Sequence, residues 1–181
     1  MTIFAQLLLQ LFLILLNAVF AAFEVSLISM NEKKVRALAE DGNKKAGKML
    51  KIIEDPTKFL SAIQIGITLA GFLGSAFAAD NFAELITGAI INASPSAAEY
   101  AGAINALSVV VVTLVLSYFT LVLGELVPKR VAMKYKDSLA GVAASVIGVL
   151  SIVLKPVIWF LTASTNLVLR IFRIDPNEKE E

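Results

Sequence analysis

The 181-residue chain is 57% hydrophobic and only 17% charged, with a formal net charge of +1, whereas a soluble domain carries about a quarter charged residues. It contains no cysteine and no histidine, which excludes disulfides, thiolate chemistry, a zinc site of the Cys/His kind and imidazole catalysis. A cation site in this chain has to be built from oxygens, a donor set that suits magnesium, calcium, manganese or sodium.

The residues from Thr2 to Met30 predict a transmembrane helix. The run is too long for the apolar core of a signal peptide and has no cationic segment before it. Only Gln6, Gln10, Asn17, Glu24 and small hydroxyls such as Ser26 and Ser29 interrupt it. Asn31-Glu32-Lys33-Lys34 then reads as a helix cap and a membrane surface. Eight basic side chains follow within residues 32–58: Lys33, Lys34, Arg36, Lys44, Lys45, Lys48, Lys51 and Lys58. Apolar positions among them predict two short amphipathic helices, broken around Asp41-Gly42-Asn43.

A second span is expected from about Phe59 to Ala79, rich in small and polar residues that permit close helix packing. Residues 80–100 carry Asp80, Glu84 and Glu99 and no basic residue, as an external loop would. The third span, about Ala101 to Leu123, ends in Gly124-Glu125-Leu126-Val127-Pro128-Lys129-Arg130. The last apolar stretch, Leu139 to Phe172, is long enough for a fourth span but contains Lys155-Pro156. The excess of Lys and Arg on cytoplasmic loops arbitrates. With the N-terminus outside and three spans, all 16 Lys and Arg residues are cytoplasmic. The expected architecture is therefore all-α: three transmembrane helices, short cytoplasmic helices, and a juxtamembrane belt helix kinked at Pro156. The membrane domain is assigned to residues 1–174 and the start of a cytoplasmic linker to residues 175–181.

Two carboxylates stand out. A charged side chain inside a span costs at least ~2.5 kcal/mol on insertion scales, so Glu24 should face a cavity or a partner. Asn17 lies seven residues earlier on nearly the same helix face. The pair reads as the lining of an ion pathway; the alternative is that Glu24, about six residues from the cytoplasmic end, snorkels to the surface or pairs with Lys129 or Arg130. Glu125 precedes Pro128, which removes a backbone donor; a helix interrupted at membrane depth frees carbonyls for cations. Against this stands a plain membrane-exit turn. Ser61, Gln64 and Thr68 share one face of the second span and could add neutral oxygens or simply bond neighbouring helices. The basic segment can bind anionic lipid, although setting topology accounts for it. No nucleotide-binding fingerprint, nucleophile–base pair or aromatic-basic pattern is present in the sequence, so neither an enzyme nor a nucleic-acid partner is expected.

Three stretches resemble the DUF21 domain, the membrane part of the CorC/CNNM family: Leu16-Asn17-Ala18-Val19-Phe20-Ala21-Ala22-Phe23-Glu24-Val25-Ser26-Leu27, the run from Asp55 to Phe72, and Gly124-Glu125-Leu126-Val127-Pro128-Lys129-Arg130. The resemblance implies a homodimer of three-span subunits in the cell (inner) membrane, continuing into cytoplasmic CBS domains, and hemolysin-like relatives. It also implies magnesium efflux coupled to sodium entry. By that resemblance Glu125 is the principal Mg2+ ligand, Gly124 adds a carbonyl, and the first two spans contribute hydroxyl or amide oxygens around Gly66, with Glu24, Ser26, Gln64 and Thr68 as the candidates to replace family oxygens this chain lacks. Pro128 and Lys129 complete the motif. Relatives often carry Gly-Asn where this chain has Gly66-Ile67, a second Asn where it has Gly71, and a Ser near Ala21-Ala22. A membrane anchor or sensor for CBS domains, without transport of its own, is the competing expectation.

Overall fold

The computed structural model describes residues 3–172, apart from the side chains of Ala79 and Asp80. The described residues are helical throughout: α1 (Ile3–Ile28), α2 (Glu32–Glu40), α3 (Lys44–Glu54), α4 (Pro56–Ala93), a 3-10 turn (Pro95–Tyr100), α5 (Ala101–Leu121), a π-helical turn (Val122–Leu126), α6 (Val127–Lys134), α7 (Lys136–Val153) and α8 (Lys155–Ile171). Arg173 and the tail Asp175–Glu181, with the linker assigned to it, lie outside the described residues.

The chain divides into two compact units: Met1–Met30 with Ile63–Ala140, and Asn31–Ala62 with Gly141–Glu181. In the first, α1 is packed on two sides. A Cβ at Gly66 would come within 2.8 Å of the Phe20 ring, and one at Gly74 within 3.1 Å of Gln10 Nε2. Gln6 Nε2 donates to Asn81 Oδ1 at 2.8 Å. These contacts run in opposite order along the two helices, so α1 and α4 are antiparallel. Gly66, Ala70, Gly74 and Ala78 recur every four residues, a ridge of small residues that lets two helix backbones approach. On its other side α1 meets the π turn and α6 in parallel order: Asn17 against Gly124, then Glu24 against Lys129. Thus α1, α4 and the α5–α6 rod alternate in direction.

In the second unit, the two amphipathic helices form as expected. Asn31 Oδ1 accepts the Lys34 N–H at 3.1 Å and caps α2; Asn43 Oδ1 accepts from Lys45 and Ala46 and caps α3. Gly42 between them has φ +84°, a left-handed backbone that glycine adopts without strain. Val35, Ala46 and Ile52 are buried while the lysines stay outside. Lys48 Nζ donates to Ser145 Oγ of α7 at 3.2 Å.

Two expectations are corrected. The second helix does not end near Ala79 but continues to Ala93, so the expected loop is the last turns of α4 and a 3-10 turn. Residues 81–93 contain no proline to stop the helix, and Ser94, extended because Pro95 follows, is where it ends. Nor is the third helix broken at Gly124-Glu125; it swells into one π turn and continues to Lys134.

Four helices are long and apolar enough to cross a membrane: α1, α4, the rod Pro95–Lys134, and α7. Only 11% of the rod's most apolar window is buried, and Leu107, Leu114 and Tyr118 lie open on it, as lipid-facing residues do. The last apolar stretch is divided at Leu154, just before Lys155-Pro156. Pro156 cannot donate to the Ile152 carbonyl, which accounts for the break between α7 and α8.

Candidate cation site on helices α1 and α6

The polar residues of α1 form one stripe. Gln10, Asn17 and Glu24 recur at seven-residue intervals, close to two turns, with Gln6 one turn further out. Gln6, Gln10 and Asn17 are buried. Among the described residues, Gln6 Oε1, Gln10 Oε1, Asn17 Oδ1 and Glu24 Oε2 are buried oxygens that accept no hydrogen bond. All four lie on this stripe.

At its inner end the stripe meets the Gly-Glu-x-x-Pro-Lys motif. In a regular α-helix the Gly124 carbonyl would accept from residue 128, but that residue is proline. The backbone widens instead, and the Val127 N–H reaches the Val122 carbonyl five residues back. Asn17 Nδ2 then donates to the Gly124 carbonyl at 3.1 Å. This approach needs a glycine, because a Cβ at position 124 would come 3.1 Å from that same Nδ2 and 3.4 Å from the Ile14 carbonyl. Asn17 thereby fixes the residue next to Glu125 and keeps a bare oxygen, Oδ1, at 3% residue exposure.

Glu24 and Glu125 both reach Lys129. Its Nζ donates to Glu125 Oε1 at 2.9 Å, one turn along the same helix. Glu24 Oε2 is 3.0 Å away but out of line for a hydrogen bond. The three side chains are 24–33% exposed. Two carboxylates from different helices therefore converge on one ammonium, leaving one net negative charge. Among the described residues, no three acidic side chains come together to hold a metal; further donors have to be amide, carbonyl or water oxygens.

The structure thus unites Asn17, Glu24, Gly124, Glu125, Pro128 and Lys129. The other candidates stand elsewhere or have other partners. Ser26 Oγ is fully buried and donates to the Phe23 carbonyl of its own helix. Gly66 faces Phe20. Gln64 is exposed and Thr68 half-buried on α4. Ser61 belongs to the second unit and donates to the Thr57 carbonyl at 2.8 Å. Sequence reasoning passed over Gln6, Gln10 and Asn81 as a buried polar group. The seven-residue spacing of Gln10, Asn17 and Glu24 was the available signal.

The sequence profile of the cyclin M transmembrane N-terminal domain, the CNNM family, matches residues 8–181. The chain belongs to the CNNM family. Among its CNNM relatives, a UPF0053 protein of Synechocystis sp. is 36% identical over 166 residues, covering 92% of this chain and 36% of the relative. The polyamine export protein of Haemophilus influenzae is 31% identical, covering 90% and 36%. The UPF0053 inner membrane protein YfjD of Escherichia coli is 27% identical, covering 88% and 33%. The chain spans about a third of the length of these relatives. With its apolar helices, this CNNM chain is a multi-pass membrane protein.

Proposed function

We propose that this chain is the membrane domain of a cation exporter and that its cargo is a divalent cation, Mg2+, with sodium entry as the coupled reaction. The supporting observation is the convergence of Glu24 and Glu125, on separate helices, at one point of the polar stripe. Mg2+ is commonly held by one or two carboxylates, with retained waters completing six oxygens. Glu125 is the principal ligand in this reading, with Glu24 as the second carboxylate and Asn17 Oδ1 and the Gly124 carbonyl as neutral oxygens nearby. No enzymatic step is assigned.

The domain occupies residues 1–174, with α1, α4 and the α5–α6 rod as its three spans. The N-terminus is outside, in the inner membrane, and α7–α8 form a cytoplasmic belt. A homodimer and CBS domains on a longer chain complete the assembly.

A second reading has its own support. The ion already held by the two carboxylates is a primary alkylammonium, that of Lys129, and the relative in Haemophilus influenzae is named a polyamine export protein. An organic polycation would meet the same two charges.

Flux from proteoliposomes containing the full-length protein separates these readings. Mg2+ efflux that rises with a sodium gradient, and falls about 10–100-fold or more in Glu125→Gln, is the expected result. Spermidine flux without Mg2+ flux would assign the polyamine. Flux of neither would leave the domain as an anchor for regulatory domains and overturn the proposal.

A further inference from the structure

We infer that Lys129 is a tethered stand-in for the cargo: its ammonium neutralises Glu24 and Glu125 while the site is unloaded and is expelled when a cation binds. This rests on the cation-export reading above and assigns a regulator to its site.

The geometry is that of an exchangeable plug. The ammonium lies 2.9 Å from Glu125 Oε1 and 3.0 Å from Glu24 Oε2, between the only two carboxylates that the described residues bring together there. A second cation on the same oxygens would stand within a few ångströms of Lys129, where like charges repel. Either the ammonium or the cargo occupies the pair. Lys129 can yield by rotamer change alone, because it is one turn beyond Glu125 and a lysine has a flexible four-carbon stem. Its hold is incomplete, since the ammonium is aligned with Glu125 and not with Glu24. Asn17 Oδ1, buried and accepting no hydrogen bond beside Gly124, is an oxygen a cation can use and the lysine does not.

Two consequences follow. A monovalent ion offers no electrostatic advantage over Lys129, so the exchange favours a cargo with more than one charge. Release is assisted as well, because the returning ammonium competes for the same oxygens.

The test is cation binding by calorimetry to the full-length protein in lipid nanodiscs, with MgCl2 and, separately, spermidine as probes. Lys129→Gln is expected to bind the cation about tenfold or more tightly than wild type, and Lys129→Arg no more tightly than wild type. Equal or weaker binding by Lys129→Gln, with wild-type binding intact, overturns the inference and leaves the export reading standing. Binding of neither probe by wild type overturns both. Should Lys129→Gln fail to fold, amine labelling of the wild type read by mass spectrometry decides. Saturating MgCl2 should raise Lys129 reactivity several-fold, and unchanged reactivity overturns the displacement.

Discussion

A carbonyl four residues before a proline has lost its α-helical donor, and Gly124 is in that position before Pro128. Asn17 supplies the replacement from another helix. Removing it strands a buried acceptor, at a cost of about 1–3 kcal/mol. Asn17→Ala should therefore lower the thermal unfolding temperature of the purified protein. Pro128→Ala gives the carbonyl a backbone N–H again. In that background Asn17→Ala should cost less, with a coupling of roughly 0.5–3 kcal/mol in the double-mutant cycle. Strict additivity would mean that Asn17 does not compensate for the proline. Glu24 illustrates the same economy of partners: sequence reasoning left it between an ion pathway and a partner in the motif, and the pairing with Lys129 is found. The pairing does not remove Glu24 from the pathway reading, because the partner is the ion that a cargo would replace.

Helices α1 and α4 meet through missing side chains. Gly66 has the Phe20 ring where its Cβ would be, whereas nothing lies within 4 Å of a Cβ at Gly71. Gly66→Ala should destabilise by about 1–3 kcal/mol through overpacking. Gly71→Ala should be neutral or stabilise by up to about 1 kcal/mol through helix propensity. Unfolding curves of the two variants check this, and equal effects would contradict the packing described. The small residues of α4, the two capped cytoplasmic helices and the break before Pro156 were legible because each rests on a local rule of composition or backbone. The far end of α4 was not. Asp80 and Glu84 lower hydropathy enough to look like a loop, yet neither charge nor the single Gly88 stops a helix where no proline supports it. The π turn was not legible either, because it arises where Pro128 withholds a donor and Asn17 supplies one from another helix. For the site, residue types and the motif were readable, but which oxygens already have partners depended on tertiary contacts.

For the molecule as a whole, electrostatics argues against α7 crossing the bilayer. α7 has 18 residues, about 27 Å of helix, somewhat short of the ~30 Å hydrocarbon core. Crossing there would place Lys155 and Arg170 of α8 on the outer face, against the bias that keeps Lys and Arg cytoplasmic. The alternating directions of α1, α4 and the α5–α6 rod return the chain to the cytoplasmic side at Lys134 if the N-terminus is outside. A belt helix pair then leaves every cation where it began. The absence of cysteine from these 181 residues helps the decision, because one introduced thiol is the only labelling site in this membrane chain. Ser96→Cys, exposed in the 3-10 turn, and Thr165→Cys, exposed on α8, are suitable positions. A membrane-impermeant maleimide added to intact spheroplasts should label Ser96→Cys at once and Thr165→Cys only after the membrane is opened. Labelling of both in intact spheroplasts would show that α7 is a fourth span and that the cationic α8 faces outward. Labelling of Thr165→Cys alone would place the N-terminus inside, moving the Glu24–Lys129–Glu125 cluster to the outer face, where it would receive a cation from outside and no longer serve export.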